Sequence, residues 1–306
     1  MAAPLCIVGL GEAVFDIFPD KEVLGGTSLN LALQSHQLLA PHGGSGVLVS
    51  RVGNDALGHR LVAQLQARGL SDKHIQRDDA HPTGRVLVSF EDGAPRFEIV
   101  LDCAWDHIAF GPHEAALARR CGAVCFGTLA QRHPVARASI EAFVCAAPQA
   151  LRLFDVNLRM QLFTPAVLAQ GCRMAQLVKL NEDELPVVSQ LLGVAPGDSA
   201  MQAEALRRQF DLEAVIYTRG PRGTVAYTRE GCVTGKPAHF APQPGADAVG
   251  AGDACSAGLL AGRLLGMDWQ GALDLANAAG AYVASRPGAT PSFDAAFMAG
   301  LPARKS

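Results

Sequence analysis

Short apolar segments alternate with longer amphipathic segments along almost the whole chain. Six strand-like segments read LCIVGL, GVLVSRVG, GAVCFGT, ALRLFDV, AQLVKL and EAVIYT (5–10, 46–53, 122–128, 150–156, 175–180 and 213–218). Helical patterns lie between them: SLNLALQSHQLLA, DALGHRLVAQLQARG, PVARASIEAFVCAA and TPAVLAQGCRMA. Strands that are apolar on both faces and separated by helices are typical of a parallel sheet covered on both sides. The sequence therefore predicts an α/β fold with a doubly wound, mainly parallel sheet.

Two segments break this alternation. EAVFDIFPDKEVL (12–24) has a Pro-Asp-Lys turn between two apolar runs, and GRVLVSFEDGAPRFEIVL (84–101) alternates on both sides of Asp92-Gly93, a strong hairpin signal. Because neither segment adjoins a helix, we expect them to form a small β-sheet that projects from the main domain and serves as a lid over the active site. On this division the main domain comprises 1–11, 25–83 and 105–306, and the lid comprises 12–24 and 84–104.

Composition excludes several classes of protein. The chain has 306 residues, of which 49% are hydrophobic, and a net charge of −3, which argues against disorder and against nucleic-acid binding. No uncharged apolar run approaches the roughly 18 residues of a membrane span, and the start lacks the basic region of a signal peptide. The eight cysteines form no CxxC pair, which predicts buried or partly buried free thiols. We expect a cytoplasmic protein with no nucleic-acid or membrane partner.

The most informative segment is DAVGAGDACSAGLLAGRLL (247–265). Gly250, Ala251 and Gly252 offer little side-chain bulk where a helical pattern begins, so a phosphate group can approach the free amides of the helix N-terminus. Asp253 follows in the first helical turn, where a carboxylate could accept the proton of a hydroxyl group that attacks phosphorus. The alternative is that Asp253 is an ordinary helix N-cap and the glycines serve close packing.

Another Gly-Gly turn feeds a helix in GGTSLNLAL (25–33), with Asn30 in the first turn and Asp16 shortly before it. Asn and Asp side chains are suited to hydrogen bonds with sugar hydroxyl groups, although an ordinary strand–helix loop explains the turn equally well. In RVGNDALGHRL (51–61), helix capping is a sufficient explanation for Asp55.

Two later segments also place polar residues after strands. In VKLNEDELPVV (178–188), Asn181 and Glu184 suit a hydrated Mg²⁺ ion, but they also match a capping box for the next helix. TRGPRGTVAY (218–227) contains a second glycine turn, which could be only a hairpin.

Taken in order, these segments resemble the PfkB carbohydrate kinase family of ribokinase-like enzymes. DAVGAGDACSAGLL resembles the C-terminal signature of the family, and GGTSLNLA resembles its N-terminal Gly-Gly…Asn element. GNDALG, NEDE and TRGPRG are similar to its GxDxxG, NxxE and TxGxxG motifs, and FDVNLR (154–159) is similar to a strand end of fructokinase-like members. The resemblance runs from about Gly9 to Ser292.

The resemblance implies a role for each matching residue. Asp253 would be the catalytic base, and the amides of Gly250, Ala251 and Gly252 would form the anion hole. Arg159 would point to the active site, at the sugar or at a phosphate. The sugar would be bound by Asp16, Gly25, Gly26 and Asn30. Mg²⁺ and phosphates would be bound by Asn181 and Glu184, mostly through water. The nucleotide site would be lined by Thr218, Gly220, Gly223 and Asn277. Many family members also bind K⁺, which would involve Asp247, Val249 and Ser292.

The implied reaction is in-line transfer of the ATP γ-phosphoryl group to the primary hydroxyl of a sugar. Fructose is the first candidate, because GEAVFDIFPD, FDVNLR and AWDHI (104–108) look fructokinase-like. Other hexoses, ribose, a keto-deoxy sugar acid or a nucleoside stay open. Apolar faces exposed on the lid could pair between subunits, which suggests a homodimer.

Two other classes of function stay under consideration. GLGEAV (9–14) follows the first strand as in a nicotinamide-linked oxidoreductase, but Val14 replaces the third glycine of that fingerprint. A non-catalytic sugar- or nucleotide-binding relative is the second alternative, since Ala248 stands where the family usually has a hydroxyl-bearing residue. Sugar-stimulated release of ADP from ATP would separate an enzyme from a sensor.

Overall fold

The computed structural model describes residues 4–91 and 94–301. Its strands within these ranges are β1 (Cys6–Leu10), β2 (Val14–Ile17), β3 (Glu22–Gly25), β4 (Ser45–Gly53), β5 (Ile75–Asp78), β6 (Gly84–Glu91), β7 (Ala94–Ile99), β8 (Ala123–Gly127), β9 (Leu151–Asp155), β10 (Leu177–Asn181), β11 (Ala214–Thr218), β12 (Thr224–Thr228) and β13 (Cys232–Thr234).

The helices are α1 (Thr27–Leu39), α2 (Ala56–Ala67), α3 (Pro112–Ala118), α4 (Pro134–Cys145), α5 (Pro165–Met174), α6 (Glu184–Leu191), α7 (Ser199–Gln209), α8 (Ala251–Leu264), α9 (Trp269–Ala284) and α10 (Ala295–Ala299). Several start where an Asp side chain accepts a hydrogen bond from the first turn; Asp55 accepts one from the Gly58 amide at 2.8 Å. The capping interpretation of Asp55 is therefore confirmed. In the described part of the chain, no helix combines the length and the apolar character needed to cross a membrane.

Nine strands form the main sheet, in the order β13-β12-β11-β10-β9-β8-β1-β4-β5. The strands from β11 to β5 pair in parallel, whereas β12 and β13 are antiparallel. The predicted doubly wound, mainly parallel sheet is confirmed. The sequence pattern does not indicate β5 as a strand and leaves the β11–β12 turn as a possible hairpin, because short strands at the ends of a sheet show too little pattern.

Both faces of the main sheet are covered by helices. Val124 and Phe126 of β8 point into a core with α3 to α7, while Ala123 and Cys125 of the same strand point into a second core with α8 and α9. This alternation follows from the two-residue period of a strand. It requires both kinds of position to be apolar, which is why the central strands read as continuous apolar runs.

The two segments that break the helix–strand alternation form a separate sheet, in the order β3-β2-β6-β7. Strands β2 and β6 pair in parallel, and the other two pairs are antiparallel. The small sheet that the sequence predicts is thus confirmed. The predicted Asp92-Gly93 turn lies outside the described residues, although β6 and β7 on either side of it pair with Val88 opposite Phe97.

Five cysteines are buried and Cys6 is partly buried, as predicted for them. Cys145 and Cys232 are exposed, so the expectation of burial is wrong for these two. Cys145 ends α4 and Cys232 begins the edge strand β13.

Candidate active site

The start of α8 leaves backbone amides open. Gly250 is the N-cap with φ of 76°, and a Cβ there would lie 2.3 Å from the Ala289 carbonyl oxygen, so a side chain does not fit. The amide of Ala251 donates to the Ala248 carbonyl oxygen at 3.2 Å, whereas Gly252 is exposed. First-turn amides lack an intrahelical acceptor and carry partial positive charge. An anion can therefore meet this helix end at Gly252 more readily than at Ala251.

Asp253 is partly exposed in the first turn of α8, and its carboxylate contacts a different helix. Asn30 Nδ2 donates to Asp253 Oδ2 at 2.8 Å, whereas Gly250 occupies the N-cap position, so the N-cap alternative for Asp253 is wrong. Burial raises the pKa of Asp253 from 3.8 to about 6, while the Asn30 hydrogen bond and the charges of Lys179 and Arg159 oppose the rise. A carboxylate with a pKa close to the working pH suits a general base.

The start of α1 lies opposite, and at two glycines the backbone passes close to atoms of other segments. Gly26 is the N-cap with φ of 107°, and a Cβ there would lie 2.7 Å from the Glu12 carbonyl oxygen. A Cβ on Gly25 would lie 3.0 Å from Oδ2 of Asp16, which is partly exposed in β2. The structure therefore groups the residues predicted to bind a sugar at the junction of the small sheet and α1.

Arg159 is exposed beyond the end of β9 and supplies positive charge to this group. Burial raises the pKa of Asp16, and Arg159 opposes that shift, as it does for Glu12 and Asp253. Arg159 thus acts electrostatically on three carboxyl groups that come from separate parts of the sequence. The orientation of Arg159 towards the sugar or a phosphate stays a prediction.

Glu12 is a site residue that the sequence analysis did not single out. It is buried, and its Oε1 accepts a hydrogen bond from the Thr27 amide at 3.1 Å. Asn157 Nδ2 donates to Thr27 Oγ1 at 2.5 Å, which ties the end of β9 to the same helix start. Burial raises the pKa of Glu12 to about 7, with a smaller contribution from the charge of Asp253. The available signal was a carboxyl group directly after Gly9-Leu10-Gly11, at the end of β1.

A buried ion pair below the start of α8 was also missed. Lys179 Nζ lies 2.9 and 2.8 Å from the two carboxylate oxygens of Asp155, and Ser256 Oγ donates to Asp155 at 2.7 Å. Burial lowers the pKa of Lys179, but the Asp155 carboxylate outweighs this and holds it above its usual value. A Cβ on Gly252 would lie 3.7 Å from Lys179 Nζ, so a permanent cation lies next to the open helix end. The sequence signal was a lysine inside an otherwise apolar strand.

Asn181 and Glu184 form the hydrogen bonds of a capping box at the start of α6. Asn181 Oδ1 accepts from the amides of Asp183 and Glu184, both at 2.9 Å. Glu184 Oε2 accepts from the Asn181 amide at 2.9 Å, and its Oε1 accepts from the Leu158 amide at 2.8 Å. Since both carboxylate oxygens already accept backbone hydrogen bonds, Glu184 fits the predicted water-mediated role towards Mg²⁺ better than direct coordination.

Three of the residues predicted to line the nucleotide site lie at or after the end of β11, and the fourth, Asn277, lies on α9. Thr218 ends β11 beside Asn181, and Gly220 and Gly223 belong to the turn to β12, so this segment is a hairpin. Asn277 on α9 accepts a hydrogen bond from Thr224 Oγ1 at 2.7 Å and donates to a carbonyl group of the loop after β13 at 3.0 Å. Through these bonds Asn277 connects α9 to β12 and to the loop after β13.

The loop predicted to hold K⁺ is folded back on the segment after α9. Asp247 accepts hydrogen bonds from the amides of Val249 at 2.9 Å and Gly288 at 3.2 Å. The Ser292 carbonyl oxygen accepts a hydrogen bond from the Tyr282 hydroxyl at 3.1 Å. Asp247 and Val249 are thus hydrogen-bonded to each other, whereas the Ser292 carbonyl oxygen is hydrogen-bonded to Tyr282.

Comparison with solved structures defines the fold. Fructokinase with bound ATP from Xylella fastidiosa has a TM-score of 0.81 to this chain at 22% identity, covering 93% of each chain. Aminoimidazole riboside kinase from Salmonella enterica, complexed with aminoimidazole riboside and an ATP analog, has a TM-score of 0.76 at 22% identity, covering 94% of this chain and 95% of its own. The fold is ribokinase-like.

The family follows from the sequence comparison. The model of the pfkB family carbohydrate kinases matches residues 20–296. Fructokinase of Salmonella typhimurium is 30% identical over 270 residues, which covers 82% of each chain. The chain belongs to the pfkB family of carbohydrate kinases. The predicted family and class of enzyme are confirmed, and the alternative of a nicotinamide-linked oxidoreductase is set aside.

Proposed function

We propose that this chain transfers the γ-phosphoryl group of ATP to a primary hydroxyl group of a small sugar, with fructose as the first substrate to test. The observation that carries the proposal is the contact between Asp253 and Asn30. It joins the carboxylate of Asp253, at the start of α8, to Asn30, at the start of α1 beside the small sheet. A phosphoryl donor and a hydroxyl acceptor would meet there.

Asp253 is the proposed general base. Its partly exposed carboxylate would accept the proton of the sugar hydroxyl as the oxygen attacks the γ-phosphorus atom, and the bond to the β-phosphate oxygen would break. The Gly252 amide at the start of α8 and the ammonium group of Lys179 next to it, which is paired with Asp155, would stabilise the negative charge on the transferred group. Both features are in place before substrate arrives, so little reorganisation is needed.

The sugar would lie between β2 and the starts of α1 and α8. Asp16 and Asn30 offer an acceptor and an amide for its hydroxyl groups, and Gly25 and Gly26 leave the space that side chains would fill. Arg159 supplies a cation at the rim, suited to the sugar or to a phosphate oxygen. Closure of the small sheet over the sugar would exclude water, a competing acceptor.

Mg²⁺ and K⁺ are the proposed cations. Bound Mg²⁺ would neutralise phosphate charge, and Asn181 and Glu184 would orient its water ligands through the oxygens that also cap α6. Asp247 and Val249 are the proposed K⁺ ligands; the contact between Ser292 and Tyr282 leaves Ser292 the weaker member of that set. The adenine end of ATP would lie along the β11–β12 hairpin, at Thr218 and Gly223.

Fructose is favoured because the curated relative of Salmonella typhimurium is named a fructokinase. Ribose, other hexoses, keto-deoxy sugar acids and nucleosides stay as alternatives, the last because one structural neighbour is a riboside kinase. A non-catalytic binding protein is the remaining alternative.

The test is ADP release from MgATP across a panel of these acceptors, with identification of the phosphorylated product by NMR. We expect one sugar to stimulate turnover, phosphate to be found on a primary carbon, and Asp253→Asn to abolish most of the rate. Asp268→Asn, which alters only the cap of α9, is the matched control. ATP turnover that no acceptor stimulates would favour the non-catalytic alternative.

A homodimer through the small sheet is also proposed. Strands β3 and β7 are its edges, and Leu87 and Phe97 are 38% and 52% exposed. Open edges with exposed apolar side chains favour pairing between copies. Light scattering should give a dimeric mass that Phe97→Lys reduces, whereas a monomeric wild-type protein would refute the pairing. The cytoplasmic location predicted from the thiols is retained as part of the proposal.

A further inference from the structure

A cluster of histidine and aspartate side chains lies at the base of the small sheet. The potential ligand atoms of His81, Asp102 and His107 all lie within 4.8 Å of one another. His81 precedes β6 and Asp102 follows β7, so these two occupy the segments that enter and leave the β6–β7 pair. The proposed phosphoryl transfer uses none of the three.

Two imidazole groups converge on one carboxylate oxygen. His107 Nε2 lies 2.8 Å from Asp102 Oδ1, and His81 Nε2 lies 3.8 Å from the same atom. The two rings are stacked, with centroids 3.6 Å apart. Imidazole nitrogen and carboxylate oxygen are the ligands of many zinc sites, whereas Mg²⁺ and Ca²⁺ prefer oxygen alone.

A second carboxylate orients one of these rings from behind. Nδ1 of His81 lies 3.1 Å from Asp78 Oδ2, which leaves Nε2 as the atom that faces Asp102. Asp78 is buried and fixed in turn by Arg51, whose Nε lies 2.6 Å away, and by the Ala80 and His81 amides. A carboxylate behind a histidine is the usual support of a metal-binding imidazole, because it holds the proton on the nitrogen that does not bind the metal.

The third ligand is open to solvent and held in an uncommon backbone conformation. Asp102 has φ of 56°, and its side chain is 71% exposed. The side chains of His81 and His107 are 27% and 19% exposed, so both rings are accessible to an ion from solvent. Zn–N distances are about 2.0–2.1 Å, so metal binding would draw the two Nε2 atoms out of the stacked arrangement.

We propose that His81, Asp102 and His107 form a binding site for a divalent transition-metal ion, with Zn²⁺ as the best match. Three protein ligands leave the fourth tetrahedral position to water. Because Asp102 follows β7 while His107 lies in a helical turn that packs on β4, the ion would tie the exit of the small sheet to the main domain. The proposal is independent of the kinase reaction.

A second cluster supplies the competing explanation for any zinc binding. His74, His113 and Glu114 also bring potential ligand atoms within 4.8 Å of one another. Glu114, however, already accepts a hydrogen bond from the Gly111 amide at 3.1 Å, as the cap of α3. His113 is exposed, so its replacement is a mild control.

Calorimetric titration of Zn²⁺ into the untagged full-length protein, without nucleotide, tests the site. The variants are Asp102→Asn, which tolerates the same left-handed backbone, His107→Gln, and the control His113→Gln. We expect one zinc ion whose affinity falls at least about tenfold in the first two variants and is unchanged in the control. Added zinc should also raise the unfolding temperature of the wild-type protein more than that of Asp102→Asn, because it binds the folded state.

Two results would overturn the assignment. One is no saturable zinc binding by the wild-type protein at a large excess of metal. The other is binding that survives both Asp102→Asn and His107→Gln, whether or not His113→Gln removes it.

Discussion

The hydrogen bond from Asn30 to Asp253 should set the pH at which the proposed base becomes active. Burial raises the pKa of Asp253 to about 6, and this bond opposes the rise because it stabilises the ionised form. The base works only when ionised, so kcat/KM should fall as the pH drops below about 6. Asn30→Leu removes the donor at similar side-chain volume.

The size of the effect follows from the bond that is lost. A hydrogen bond to a charged group contributes about 1.5–3 kcal/mol, and one pKa unit corresponds to about 1.36 kcal/mol. Full loss would therefore raise the pKa by about one to two units. Asp253 is partly exposed, so water can replace part of the interaction, and we expect a rise of about one unit, to near pH 7.

The assay is kcat/KM for the sugar as a function of pH, because this ratio reports groups of the free enzyme. Asn30→Leu should also lower the plateau, since Asn30 is proposed to bind the sugar, but plateau height and midpoint are separate readouts. Asp16→Asn is the matched control: it should lower the plateau and leave the midpoint in place. Asp253→Asn should lose about 10²–10⁴-fold in kcat with no acid limb of this origin.

Two outcomes would refute the reasoning. A wild-type midpoint near pH 4 would mean that Asp253 has the pKa of an ordinary carboxyl group and that burial does not act as described. An unchanged midpoint in Asn30→Leu, with the variant folded, would mean that the 2.8 Å contact does not control the ionisation of the base.

Three further predictions concern stability. Folding raises the pKa of Glu12 from 4.5 to about 7, so the stability that its protonation provides is present below pH 4.5 and lost as pH rises through 7. In denaturant unfolding, the free energy of unfolding of Glu12→Gln should therefore exceed that of the wild type by about 1–3 kcal/mol at pH 8 and equal it at pH 4. Lys179→Met leaves the Asp155 carboxylate buried without its cation and should cost about 3–5 kcal/mol in urea unfolding, much of which Asp155→Asn in the same chain should restore. Gly250→Ala should lower both the unfolding temperature and kcat more than Gly193→Ala, because both glycines have positive φ but only the first has a backbone oxygen in the place of the new Cβ; equal losses would contradict the steric argument.

The alternation of apolar strands and amphipathic helices was enough to predict the main sheet, because a parallel sheet covered on both faces needs apolar residues at every central position. The Pro-Asp-Lys turn and the two-residue alternation on both sides of Asp92-Gly93 likewise predicted the small sheet. The edge strands β5 and β13 were not predicted, since their four and three residues are too few to show a distinctive period.

The candidate site was predicted in part, where its residues lie in local motifs. Asp253 and Asn30 each follow a glycine turn at a helix start, and the chain between them gives no sign that they touch. Glu12 and Lys179 were missed because each is a single polar residue in an apolar segment, which by sequence looks like a strand position and nothing more.

The sequence by itself determined which backbone segments become strands, helices and glycine turns, because those depend on residues a few positions apart. Only the tertiary structure decided that Asp253 accepts from Asn30 rather than capping its own helix, that Glu184 also accepts from the distant Leu158 amide, and that Lys179 pairs with Asp155. Those outcomes depend on distances between residues far apart in the chain and on the exclusion of water between them, and both arise only when the sheet and its helices pack together.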